Sequence, residues 1–157
     1  MGALNRSLSM HLTRGMAPAE QQQMEGRLNA AANVCKGGTL TKFVIGRRRR
    51  HDRFFRVEGT GTLCRLVWSG NAHRVVRADA LPGPGLQREQ RLSDDELSRC
   101  FQLLLDGKIV ALMAASRQEK QMWVDGINTV AGVQGDGLLS ASGRDYGRGS
   151  TGPVPLS

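Results

Sequence analysis

The chain has 157 residues, 39% of them hydrophobic and 4% aromatic, with 20 glycines. That size suits one domain plus tails, and it fits neither a wholly disordered polymer nor a large multi-domain enzyme. Lysine and arginine number 22 against 14 acids, a formal charge of +8, so the expected partner is anionic: an acidic protein, a membrane surface or nucleic acid.

No apolar run approaches the ~20 residues of a transmembrane helix. The first stretch carries no acid, and Leu4, Leu8 and Leu12 share one helical face. This predicts an N-terminal tail or docking helix over 1–17. The same acid-poor, amphipathic character also suits a transit peptide. A second helix is predicted from Pro18 to Cys35, with Met24, Leu28, Ala31 and Cys35 as its apolar stripe and Gly37-Gly38 as its stop.

Strands follow. Thr39 to Gly46 is β-prone and runs into the basic cluster Arg47-Arg48-Arg49-Arg50-His51. Arg53 to Glu58 is the next run, with Phe55 and Val57 on one face and Phe54 and Arg56 on the other. Turns at Gly59-Thr60-Gly61 and Ser69-Gly70-Asn71 flank a run from Leu63 to Trp68. A weaker strand spans His73 to Ala80, and together these runs make an antiparallel meander.

Pro82-Gly83-Pro84-Gly85 opens a polar loop in which Ser93 and Glu96 form a capping box, enough for one helical turn. Cys100 to Leu105 and Lys108 to Ala114 flank Asp106-Gly107, the two-residue signal of a type I′ hairpin. Ser116 and Glu119 cap a last helix that carries Trp123, Ile127 and Val130 on one face and stops at Gly132. This helix is too short to stand alone in water, so it must plug the open end of a curved sheet. The expected core includes Phe55, Phe101, Trp123 and Ile127. Residues 133–157 are rich in glycine and serine, a composition that predicts disorder.

Two segments resemble a pleckstrin-homology domain, most closely the ELMO type. One runs from Gly38-Thr39-Leu40-Thr41-Lys42 into Arg47-Arg48-Arg49-Arg50-His51-Asp52-Arg53-Phe54-Phe55. The other is Trp123-Val124-Asp125-Gly126-Ile127-Asn128, ending at Gly132. The resemblance implies a mainly β (α+β) fold over 18–132. Its form would be a seven-stranded, bent antiparallel barrel or sandwich capped by a C-terminal helix, with an extra helix in front. It also implies a phosphate-binding set of Lys42, His51 and Arg53 before Phe54-Phe55. His51 stands where such domains usually carry Arg or Lys, and a neutral imidazole is a poor phosphate clamp. Arg47 to Arg50 are expected in the loop between the first two strands, where they partly compensate. Domains of the ELMO type resemble protein-binding modules more than lipid readers.

The residues give no catalytic set, cofactor site or metal site. His11, His51 and His73 share no ligand spacing. Neither a GxSxG elbow nor a P-loop occurs, and Asp94-Asp95-Glu96 reads as a helix start. Cys35, Cys64 and Cys100 read as free, buried thiols of a reducing compartment. For nucleic acid the stacking platforms are poor: Phe54 and Phe55 alternate, and Tyr146 stands alone.

The expectation is a non-catalytic adaptor or scaffold that docks through Lys42, Arg47, Arg48, Arg49, Arg50 and Arg53 onto an acidic protein. A microtubule in a cytoplasmic cytoskeletal or ciliary assembly would suit the charge and the small size. The alternative is recruitment to anionic membrane lipid, including phosphoinositide, through the same residues.

Overall fold

The computed structural model describes residues 17–133. The predicted helix of Leu4, Leu8 and Leu12 and the Gly/Ser-rich tail lie outside the described residues.

Helix α1 (Pro18–Lys36) comes first. It has proline in its first turn, and the Ala17 N–H donates to the Glu20 carboxylate at 3.0 Å. Gly37 ends it with φ +93°, and a Cβ there would stand 2.6 Å from the Phe55 carbonyl oxygen. Glycine is required to turn the chain straight into the sheet.

Six strands follow: β1 (Gly38–Val44), β2 (Arg49–Glu58), β3 (Arg65–Trp68), β4 (Asn71–Asp79), β5 (Cys100–Leu105) and β6 (Lys108–Met113). Each pairs antiparallel with the next, and β6 returns to β1, closing a barrel in the order β1-β2-β3-β4-β5-β6. The hairpin at Asp106-Gly107 forms where predicted, with Leu105 opposite Lys108, but of its two central residues only Gly107 has positive φ (+80°), so the turn is not the expected type I′. A register shift bulges β4 between Val75 and Arg77, which bends a strand at a barrel wall.

This architecture corrects the seven-stranded bent sandwich. The described residues form six strands in a closed ring, with four α-helices around it. No further strand forms between β4 and β5, where Pro82 and Pro84 remove ladder donors. The segment instead folds as two short helices, α2 (Leu86–Gln90) and α3 (Asp94–Ser98). The capping box predicted for α3 is present: Ser93 Oγ accepts from the Glu96 N–H at 3.1 Å, and the Ser93 N–H donates to Glu96 Oε1 at 3.0 Å. Helix α2 has no capping side chain and was not anticipated.

The strand parity is regular. Leu40, Phe55, Val57, Leu66, Trp68, Phe101, Leu103, Val110 and Leu112 fill the barrel. Phe43, Cys100, Ala111 and Met113 face outward and pack under Leu86 and Leu92 of the α2–α3 flap. This second cluster explains why the hairpin arms are apolar on both faces.

Helix α4 (Arg117–Ala131) starts at Ser116, whose Oγ accepts from the Glu119 N–H at 3.0 Å, and stops at Gly132. It buries Trp123 and Ile127 over one end of the barrel, as predicted. Asn128 ties it to β4 with two hydrogen bonds, accepting from Ala78 N–H at 2.8 Å and donating to the Ala78 carbonyl at 3.0 Å. Helix α1 packs across α4 at Gly126, where a Cβ would lie 2.5 Å from the Ala30 carbonyl oxygen. The expected stripe on α1 is therefore shifted. Ala30 and Val34 are its buried residues, and Cys35 is exposed, because the crossing needs small side chains at the point of closest approach.

Candidate basic docking surface

The turns β1–β2 (45–48), β3–β4 (69–70) and β5–β6 (106–107) all lie at the barrel end opposite α4. Side-chain parity decides what this open end carries. Lys42 is on the same face of β1 as buried Leu40. Arg49, His51 and Arg53 share the face of Phe55 on β2, and Lys108 shares the face of Val110 on β6. The inward face thus changes from apolar to cationic as the strands approach the mouth.

The geometry there is specific. Lys42 is directly across from His51 on β2 and Leu112 on β6. Its ammonium is held below the usual lysine range, first by burial and then by the neighbouring charges of Lys108 and Arg53. The Lys108 ammonium stands 5.6 Å from the centre of the Trp68 ring. Trp68 in turn lies 5.4 Å from the Phe55 ring and 5.1 Å from His73. An aromatic floor therefore lies under the mouth. Arg53 donates to the Asp52 backbone carbonyl, at 3.0 Å.

The predicted basic set divides. Arg49 and Arg50 belong to β2 rather than to a loop, and only Arg47 and Arg48 sit in the turn. Arg50 faces outward and is occupied: its guanidinium bonds Glu96 at 3.3 Å and the Gln90 carbonyl at 3.4 Å, and it stacks over the Phe43 ring at 5.3 Å. It clamps the flap to β2. By contrast Lys42, Arg47, Arg48, Arg49, Arg53 and Lys108 make no ion pair among the described residues. Lys108 belongs with this set and had been read only as the start of a hairpin arm. Closure of the barrel between β6 and β1 brings its charge within reach of Lys42.

The basic turn is held rigidly. Gln90 is the buried polar residue of the core, and its Nε2 donates to the carbonyls of Arg47 at 2.9 Å and Val44 at 3.3 Å. The Gly46 N–H donates to the Glu89 carboxylate. Helix α2 therefore supports the turn from outside, and Arg47 and Arg48 project from a fixed frame.

The cysteines are dispersed. Cys64 and Cys100 are buried, and burial pushes both thiols up to about 11, so they stay protonated at neutral pH. Cys35 departs from the expectation of burial. Among the described residues no group of three or more His, Cys, Asp or Glu is placed to hold a metal ion. Among the same residues no helix is long and apolar enough to cross a membrane. Phe55, Phe101, Trp123 and Ile127 are all in the core, as predicted.

No family model and no curated protein matches the chain. Among solved structures it is similar to Inner Membrane Complex Sub-compartment Protein 1 from Toxoplasma gondii. That likeness has a TM-score of 0.49 and 12% identity, and it covers 68% of this chain and 91% of that one.

Proposed function

We propose that the chain is a non-catalytic docking module whose open barrel end binds an acidic protein surface. One observation carries this reading: Lys42, Arg47, Arg48, Arg49, Arg53 and Lys108 gather at one end of the barrel without a carboxylate partner among them. Elsewhere on the strands the outward arginines are neutralised locally, as in the pairs of Arg56 and Arg65 with Glu58 and of Arg77 with Asp79. Cations held together without acids raise the local potential and favour an anionic partner. The rigid support of the turn reduces the ordering cost on binding.

An acidic polymer of the microtubule type, in a cytoskeletal or ciliary assembly, fits this surface. Co-sedimentation of the full chain with microtubules at two salt concentrations tests it. Pelleting at low salt and release as the screening length shrinks to about 3 Å in ~1 M salt is the expected result. No pelleting at low salt overturns the microtubule reading.

A second reading has its own support. Lys42, Arg53 and Lys108 converge on one mouth above Trp68, which suits a compact phosphate headgroup of an anionic lipid. Flotation with vesicles containing phosphoinositide, against vesicles matched in charge with phosphatidylserine, separates headgroup recognition from general attraction. Equal flotation with both rejects recognition.

A further inference from the structure

Strand β2 is paired further along one side than along the other. It pairs with β1 from Arg49 to Phe55, whereas β3 meets it from Arg56 to Glu58. Residues 49–54 therefore overhang the β3–β4 hairpin at the mouth, with one edge on β1 and the other unpaired among the described residues. Backbone groups alternate between the two edges of a strand in an antiparallel ladder. The Phe55 carbonyl oxygen points to the β1 side, 2.6 Å from where a Gly37 Cβ would stand. By that alternation Asp52 points the other way, and its carbonyl accepts from the Arg53 guanidinium at 3.0 Å. Arg50, Asp52 and Phe54 thus turn their backbone N–H groups to the free edge. An edge of this kind is a template for one more strand.

We propose that an extended acidic segment of a partner protein adds to this edge as an antiparallel strand. The inference rests on the acidic-protein reading above and adds the manner of binding, which is the strand-addition mode of peptide recognition. Six overhanging residues offer about 20 Å of edge. Arg50, Asp52 and Phe54 would form the hydrogen-bonded pairs. Arg49, His51 and Arg53 would then stand in the other pairs, where facing side chains come closest. These three share the inward face of β2, and neither Arg49 nor Arg53 has an ion-pair partner among the described residues. Carboxylates at alternate positions of the partner meet them directly, and opposite charges so placed stabilise the pairing. Arg53 exchanges the Asp52 carbonyl for a carboxylate.

The outward face fixes the residues between the acids. Phe54 is 55% exposed and suits an apolar β-branched neighbour. Asp52 already accepts from the Thr41 hydroxyl at 2.8 Å and suits a neutral one. Other occupants fit poorly. Antiparallel pairing of two copies about His51 would set Arg49 against Arg53, and like charges facing each other are unfavourable. Residues 1–16 contain no acid, and residues 134–157 balance Asp136 and Asp145 with Arg144 and Arg148.

The test uses the full chain, labelled with nitrogen-15, and three forms of the peptide Val-Glu-Thr-Glu-Val-Glu. One is unmodified. One is N-methylated at the residues between the glutamates, which removes the donors aimed at β2. One is N-methylated at the glutamates, whose N–H groups point away. The unmodified peptide is expected to slow hydrogen exchange of the Arg50, Asp52 and Phe54 amides. Methylation between the glutamates is expected to weaken binding about tenfold, and methylation at the glutamates to leave it unchanged. Equal binding of all three peptides without that slowing overturns strand addition and leaves the acidic-partner reading standing. Weakening by methylation at the glutamates alone overturns the antiparallel register. No amide shift on the overhang or at Lys42 and Lys108 with any peptide overturns both readings.

Discussion

Gly126 of α4 and Ala30 of α1 meet backbone to backbone: a Cβ added to Gly126 would stand 2.5 Å from the Ala30 carbonyl oxygen and 2.8 Å from Val34 Cγ1. Glycine here is a packing device, because it lets one helix lie across the other with no side chain between them. Placing alanine at a helical glycine normally gains up to about 1 kcal/mol. At Gly126 that gain is outweighed by the collision. Gly26, also helical, has nothing within 4 Å of an added Cβ. Gly26→Ala is expected to raise the melting temperature and Gly126→Ala to lower it. Thermal unfolding by circular dichroism measures both, and the opposite order for the pair counts against the crossing.

Gln90 joins the flap to the basic turn through its hydrogen bonds to Val44 and Arg47. Gln90→Met keeps the volume and leaves those two carbonyls without this donor, at a cost of about 1–3 kcal/mol. The amides of residues 86–98 are expected to exchange faster with deuterium, while those of α4 keep their protection. Hydrogen-exchange mass spectrometry reads the difference directly.

Arg50 and Arg53 are three residues apart and serve different ends. Arg50→Ala removes the contacts to Glu96, Gln90 and Phe43. The ion pair is well exposed, so the loss is small, about 1 kcal/mol in all. Arg53→Ala removes a cation of the mouth and is expected to leave stability within about 0.5 kcal/mol. Denaturant melts should register the first substitution. Microtubule or vesicle binding should register the second.

Glu96 gives the flap a pH dependence. Its carboxyl is held below the ordinary glutamate range, first by the Ser93 backbone N–H and then by the Arg50 guanidinium. A lowered folded value means that the stabilisation is complete above the unfolded carboxyl's range and is lost as pH falls through the folded value. The Ser93–Glu96 box should therefore loosen only on acidification below that range. A carboxyl-carbon NMR titration of Glu96, followed with the Ser93 amide, checks both the direction and the coupling.

The cysteines offer a simple probe of the fold. Cys35 is exposed while Cys64 and Cys100 are buried with thiols near 11. One thiol of the three should react promptly with a disulfide reagent at neutral pH, and all three in guanidinium. Prompt reaction of more than one in the native protein would contradict the burial.

Local signals in the sequence proved sound wherever the structure depends on neighbours along the chain. The Asp106-Gly107 hairpin, the Ser93–Glu96 capping box and the Trp123–Ile127 face form where expected, while at Ser116 only the serine cap forms, since Glu119 accepts from the Ala115 N–H instead of the Ser116 N–H. The ring's closure was not legible, because the pairing of β1 with β6 joins segments far apart in sequence. The seven-strand expectation failed for that reason and because α2 has no capping side chain. The arginine run was read as a loop, yet half of it continues β2: a strand that reaches solvent at a barrel mouth shows no apolar alternation there. Lys108 escaped notice since nothing near it in sequence is basic.

The β1–β6 joint is short, with Thr41 and Lys42 alone registered against Met113 and Leu112. A ring parts first at its thinnest seam, so thermal breathing of this barrel should start there. Lys42 stands on one lip of that seam and Lys108 on the strand that forms the other. An anion held by both ammonium groups would act as a stitch across the gap, and occupancy of the mouth would then quiet the wall behind it.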